Sequence, residues 1–274
     1  MAFELSVWSS FFVELSPEDA VLRLKQNGYD AMELSDEHGL MLLNRDEDVV
    51  KTGKAFKAFA DNVGMKISQG HLWLYCKIVS MPDAAEILKK WIDLYEAIGI
   101  ENMVLHGERM GLEEKTVDEV IDINVEKLRP VAEYVKDKQI YICLENLNGH
   151  GLNSADNLLT LIERLGSDRF AVTLDTGHLN LSKMSSQRDF ILKAGKHLRA
   201  IHIADNEGLT DQHMMPFGRG NVDFFEVVKA LKEIGYQGIF NYEIPGERHC
   251  PPAVQDMKLQ YIRQTYAYLM ENAK

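Results

Sequence analysis

Ile142-Cys143-Leu144-Glu145-Asn146, Val172-Thr173-Leu174-Asp175-Thr176-Gly177-His178, Ala200-Ile201-His202-Ile203-Ala204-Asp205 and Phe240-Asn241-Tyr242-Glu243 decide the fold of this chain. Each string is a short apolar run with a cation-binding residue at or near its end. Runs of this length and apolarity read as buried β-strands. Glu145, Asp175, His202 and Glu243 are spaced by 30, 27 and 41 residues, the length of a strand-plus-helix unit. A parallel barrel gathers the C-terminal ends of its strands on one rim, where such residues converge. Three carboxylates and an imidazole aimed at one point repel unless a divalent cation lies among them. The pattern predicts a metal site.

Working outward, a weak repeat organises the rest. Asn27-Gly28-Tyr-Asp-Ala-Met-Glu-Leu resembles Ile98-Gly99-Ile-Glu-Asn-Met-Val-Leu and Ile234-Gly235-Tyr-Gln-Gly-Ile-Phe-Asn, with Val63-Gly64-Met-Lys-Ile-Ser a looser copy. In each, a glycine ends a helical pattern and a strand follows, as expected where the helix C′ position takes a positive φ. Ser16-Pro17 and Ser154-Ala-Asp mark helix starts. Strands are predicted near 3–7, 30–34, 65–69, 101–106, 139–145, 170–175, 198–204 and 238–244. Helices are predicted near 17–27, 46–63, 83–98, 116–137, 155–165, 187–196, 222–234 and 252–271. Eight alternations fit a closed α/β barrel, a (β/α)8 TIM barrel, better than an open doubly wound sheet. No Gly-rich phosphate loop appears, and no linker divides the chain, so residues 1–274 read as one TIM-barrel domain. The longest irregular stretch, 204–221, follows the seventh strand, on the active-site side of such a barrel.

The 274 residues are 46% hydrophobic with a net charge of −12, which disfavours broad attraction to nucleic acid or anionic membrane. Cys76, Cys143 and Cys250 form no ligand spacing, and Cys143 reads as a small core residue. No targeting pattern opens the sequence and no apolar run reaches membrane-spanning length. The expectation is a cytoplasmic protein without nucleic-acid or membrane partners.

Taken singly, each candidate has a bland explanation. A strand-end glutamate is as often a rim salt bridge as a ligand, but four strand ends sharing ligand chemistry disfavour coincidence. Asp175 can cap a following helix, which leaves its pairing with His178 unexplained. Alternation turns His202 to the face opposite Ile201 and Ile203, into the barrel mouth. Asp211-Gln-His213 in the long loop can bind a further cation or a polyol. Gly218-Arg219-Gly220 permits close backbone approach, with Arg219 available to a hydroxyl or phosphate. Arg109 is a further basic candidate. Glu33, His71 and His106 occupy earlier strand ends, and Trp8 and Trp73 are candidates to stack on a sugar face. His38, His150, His197 and His249 have no such context and read as surface residues.

These strings, with Pro216-Phe-Gly-Arg-Gly-Asn-Val-Asp-Phe224, resemble the xylose isomerase-like TIM-barrel superfamily, specifically its sugar phosphate isomerase/epimerase branch, along essentially the whole chain. The resemblance to its ketose 3-epimerases implies that Glu145, Asp175, His202 and Glu243 hold one divalent ion. Manganese is implied first, with Mg2+, Co2+ or Zn2+ in its place next. It also implies that Glu145 and Glu243 exchange the substrate proton, and that His178 contacts a substrate oxygen. The chemistry is self-consistent. A hard cation chelating a carbonyl and its adjacent hydroxyl acidifies the intervening C–H towards an enediolate, and two carboxylates move the proton. His178, His106, His71, Glu33, Trp8 and Arg219 are the expected substrate-binding residues, and Asp211 and His213 candidate ligands to additional metal. The expected partner is a small-molecule sugar or sugar phosphate. Relatives also imply a homodimer or homotetramer.

Related zinc-dependent apurinic endonucleases share the barrel and hold three zincs. His71, His106, Glu145, Asp175, His178, His202, Asp211, His213 and Glu243 can all be placed on such a ligand set. The acidic balance and short loops argue against DNA hydrolysis. The pattern also admits a dehydratase or lyase on sugar-like acids, and a non-catalytic sugar-binding barrel.

Overall fold

The computed structural model describes residues 3–149 and 151–273. Eight parallel strands pair in sequence order and close on themselves: β1 (Glu4–Trp8), β2 (Ala31–Leu34), β3 (Lys66–His71), β4 (Asn102–His106), β5 (Tyr141–Glu145), β6 (Phe170–Asp175), β7 (Leu198–Ile203) and β8 (Ile239–Tyr242). The β1–β8 pairing, Leu5 against Phe240 and Val7 against Tyr242, completes the TIM barrel.

Around it run α1 (Pro17–Gln26), α2 (Asp36–Leu43), α3 (Val49–Val63), α4 (Ala84–Ile98), α5 (Val117–Val135), α6 (Ala155–Leu165), α7 (Thr176–Ser182), α8 (Gln187–Ala194), α9 (Phe224–Glu233) and α10 (Pro252–Asn272). The expected caps form, with Ser16 Oγ accepting from Asp19 N and Ser154 Oγ from Asn157 N. The repeated Gly28, Gly64, Gly99 and Gly235 take φ of +80°, +75°, +94° and +67°.

Alternation along the strands sorts core from site. Outward residues such as Met103, Leu105, Ile142, Leu144, Leu174 and Ile201 pack in the large core beneath the helices. The opposite parity holds a separate small cluster, Val104, Cys143, Ala171 and Ala200. Moving up the same parity gives His106, Glu145, Asp175 and His202. Small residues thus fill the lower barrel, and ligand-type residues crown it. Burial of the thiol pushes the Cys143 pKa up to about 12, so it is an inert core residue.

The structure departs from the predicted elements in three places. Two short helices, α2 and α7, add to the expected set, and each is capped directly off a strand, by Ser35 and by Asp175. Strand β3 runs on to His71, because Gln69, Gly70 and His71 continue the ladder with Asn102, Met103 and Val104. His38 is not a surface residue: it is fully buried in α2, with Nδ1 2.8 Å from Ser9 Oγ and Nε2 3.1 Å from the Leu15 carbonyl. His249 is exposed and His197 half-buried. His150 lies outside the described residues. Among the described residues no helix is long and apolar enough to cross a membrane.

Candidate metal centre

Strand register builds the centre. His106 stands directly beside Glu145 across β4–β5, and Asp175 beside His202 across β6–β7. Glu243 follows β8 by one residue, its amide donating to the Ile203 carbonyl. The loop after β7 returns Asp211 and His213 to the same mouth. It is pinned by Asp205, which is bridged to Met214 through the backbone and accepts from the amides of Asn206 and Val222.

Three groups of ligand-type atoms result, each within a 4.8 Å compass: Glu145, Asp175, His202 and Glu243; His71, His106 and Glu145; and His178, Asp211 and His213. Glu145 belongs to two of them. His202 Nδ1 lies 3.5 Å from Glu145 Oε1 and 3.3 Å from Glu243 Oε2. Glu145 Oε2 is 3.4 Å from His71 Nε2 and 3.1 Å from His106 Nε2. Asp211 connects His178 Nε2 at 3.1 Å with His213 Nε2 at 3.3 Å.

The residues fit a cation on two counts. Buried polar atoms normally have hydrogen-bond partners. Here His71 Nε2, Asp175 Oδ2, His202 Nδ1 and Glu243 Oε2 are buried without one, and all four belong to the groups above. Second, the histidines are oriented as metal ligands are, with the other ring nitrogen fixed by an acceptor. His71 Nδ1 faces the Leu72 carbonyl at 2.6 Å, His178 Nδ1 the Asn146 carbonyl at 3.0 Å, and His213 Nδ1 the Glu243 carbonyl at 2.8 Å. A carbonyl only accepts, so each of these nitrogens carries the proton. The other nitrogen is then the one that would offer its lone pair to a cation. His213 holds its position at a φ of +43°, strained for a residue with a Cβ.

Electrostatics are correspondingly perturbed. Burial opposes ionisation of Glu145, but His202, His106 and His178 outweigh it and hold the carboxyl well below its usual range. Burial likewise opposes Glu243, yet His202 and His213 bring it to about 2. Burial wins at Asp175, lifting it to about 6 against the pull of His178. Among the imidazoles, burial disfavours the charged form throughout. Glu145 nonetheless raises His71 to about 9, and Glu243 with Asp211 raises His213 to about 10. At His106 burial prevails and the pKa falls. A bound cation would compete with protons for these lone pairs.

The other expected site residues divide. Glu33 is fully buried beneath His202, so it meets ligand-type groups and not an open pocket. Arg219 does not reach the centre: its side chain is 76% exposed and ion-paired to Glu207 at 2.6 Å. Trp8, half-buried at the end of β1, stands beside Glu33, and Trp73 packs on the core edge. Sequence reasoning missed the supports. Asn146 accepts from the Asp175 amide at 2.7 Å and donates to its carbonyl at 3.1 Å, and Gln69 and Asn241 both donate to Glu33. The signal for Asn146 was its place directly after a strand-end glutamate.

Comparison with known proteins fits this arrangement. The family model described as xylose isomerase-like TIM barrel matches residues 21–265. An L-ribulose 3-epimerase of Mesorhizobium japonicum is 28% identical over 249 residues, covering 86% of this chain and 78% of that one. An uncharacterized protein of Methanocaldococcus jannaschii is 34% identical over 133 residues, 46% of this chain. The chain spans about half the length of the first curated relatives it matches, 44% of the M. jannaschii protein and 53% of one from Sinorhizobium fredii. A solved structure of an L-ribulose 3-epimerase superposes with a TM-score of 0.78 at 22% identity, over 100% of this chain and 96% of that one, a likeness of fold. By the extent of the family match, together with its closed eight-stranded barrel, the chain belongs to the xylose isomerase-like TIM barrel family.

Proposed function

We propose that this chain is a divalent-metal-dependent epimerase or isomerase of ketose sugars. The observation that carries the reading is the pair Glu145 and Glu243. They come from different strand ends, are both buried and held ionised, and meet His202 Nδ1 at 3.5 and 3.3 Å. Two ionised carboxylates at one centre can serve opposite faces of a substrate carbon. One accepts the proton from the C–H bond and later releases it to water, and the other, after taking a proton from water, returns it to the other face. For isomerisation, one carboxylate would deliver the proton to the neighbouring carbon. A cation held by Glu145, Asp175, His202 and Glu243 would supply Lewis-acid polarisation of the carbonyl and adjacent hydroxyl. Three carboxylates and one imidazole suit Mn2+, Mg2+ or Co2+. Asn146 fixes the Asp175 backbone, and His178, when charged, would turn the Nε2 proton it shares with Asp211 to a substrate oxygen. The named epimerase relative supports the reading.

One observation favours a second reading. The His71–His106–Glu145 and His178–Asp211–His213 groups are histidine-rich and suit Zn2+, which would make a multi-metal phosphodiester hydrolase. The net charge of −12 favours the sugar chemistry. The test is product analysis by NMR over a ketose panel with Mn2+- or Co2+-loaded protein, alongside metal content per chain. Epimer formation that disappears in Glu145→Gln and Glu243→Gln supports the proposal. Two or three tightly held zincs, with cleavage of an abasic-site duplex and no ketose turnover, refute it.

A further inference from the structure

A cavity of about 230 Å³ opens beside the centre, and its lining brings His106, His178 and Asp211 together with Lys77, Arg109 and Asn148. Lys77 lies in the loop after β3 and Arg109 in the loop after β4, both half-buried on the rim that carries the ligand groups. Their partners are unusual for cations in this chain. Arg23, Arg45 and Arg188 each lie 2.5–2.7 Å from a carboxylate oxygen. Arg109 instead donates to the neutral Asn148 Oδ1 at 2.9 Å, and Lys77 Nζ approaches only the Met110 thioether, at 3.7 Å. Among the described residues no carboxylate stands within ion-pair distance of either. The neighbouring Glu108 is already committed, accepting from the amides of Val79 and Ser80 and from the Ser80 hydroxyl.

Two like charges lining one cavity repel, and at the part-buried Arg109 the lack of a counter-ion is costly. The guanidinium is nevertheless held in place. Besides the Asn148 bond, the Gly149 backbone closes over it, so that a Cβ there would come within 2.9 Å of Arg109 Nη1. Arrangements of this kind recognise oxyanions, with the arginine fork and the lysine charge dividing the oxygens.

We propose that Lys77 and Arg109 form an oxyanion subsite, so that the substrate carries a phosphate or carboxylate at the end remote from the carbon undergoing proton transfer. The placement of that group relative to a reacting carbon rests on the proposed function; the anion site itself does not. The same subsite explains why an acidic mouth keeps two cations unpaired.

The test is calorimetric binding to the metal-loaded protein of L-ribulose, L-ribulose 5-phosphate and L-ribuluronate, whose carboxylate is at C5, with wild type, Lys77→Met, Arg109→Gln, Arg109→Lys and the Lys77→Met/Arg109→Gln double variant. At least one anion should bind roughly 10- to 100-fold more tightly than the neutral ketose in the wild type. That preference should vanish in the double variant and survive largely in Arg109→Lys, the charge-retaining control for folding. Whichever anion shows the preference identifies the group recognised. Equal binding of all three, or a preference that persists in the double variant because the anion binds the metals alone, overturns the proposal. Solvent deuterium exchange is read on the same samples. A charge-dependent preference without exchange leaves the subsite standing and counts against the epimerase reading.

Discussion

Oε1 of Glu33 lies 3.1 Å from Nε2 of His202 at the floor of the centre, and both side chains are fully buried. This contact gives the Nε2 proton an acceptor and turns the His202 Nδ1 lone pair towards Glu145 and Glu243. Glu33 also accepts from Gln69 and Asn241, a set of contacts that suits a positioning role. Glu33→Gln would place an amide donor against one of three existing donors. We expect about tenfold or greater weakening of metal affinity, measured by chelator competition, with the fold retained by circular dichroism. Unchanged affinity would mean that His202 does not ligate through Nδ1.

Metal removal should destabilise the protein, because the ligand carboxylates and orphaned lone pairs lose their common counter-charge. With metal in about hundredfold excess over its Kd, linkage contributes about 2.7 kcal/mol, so Tm should rise by about 5–10 °C over the chelated protein. Differential scanning calorimetry with chelator and then added Mn2+ checks this. Identical melting with and without metal would contradict the centre.

Tyr95 secures β3 from outside the barrel. Its hydroxyl donates to the His71 carbonyl at 2.8 Å, and its ring is fully buried. Tyr95→Phe leaves that carbonyl short of a partner at nearly constant volume, with an expected loss of about 1–2 kcal/mol in urea unfolding. A loss below a few tenths would show that the bond contributes nothing net.

His38 supplies a pH dependence separate from the centre. Burial lowers its pKa, partly offset by the Leu15 and Phe12 carbonyls and by the nearby Glu37 and Glu18 charges. The unfolded chain thus takes up this proton more readily than the folded one. Its contribution is intact above the unfolded pKa near 6.5 and is lost as pH falls through the lower folded value. His38→Gln should flatten this part of the stability–pH curve relative to wild type, followed by urea denaturation at stepped pH. Parallel curves would refute the assignment.

The convergence of the rim residues was legible because apolar runs fix strand ends and alternation fixes which side chains point inward. Glu145, Asp175 and His202 needed nothing more. The pairing of His106 with Glu145 depends on strand register, which no local pattern encodes. Short α2 begins immediately after β2 and contains Gly39, so it carried little helical signal and hid His38. Arg219 misled because Gly-Arg-Gly marks close approach without fixing a loop's direction, and Glu207 draws the side chain outward. Lys77 was silent in sequence, since its significance lies in the absence of a carboxylate brought near it by folding.

The most direct test of the central claim is deuterium incorporation from D2O into a ketose, followed by NMR with the metal-loaded protein. Wash-in is expected at the carbon beside the carbonyl, at a rate set by added metal, with epimer formation abolished in both Glu145→Gln and Glu243→Gln. Epimer formation that persists in either variant with its metal retained would contradict the two-glutamate proton transfer.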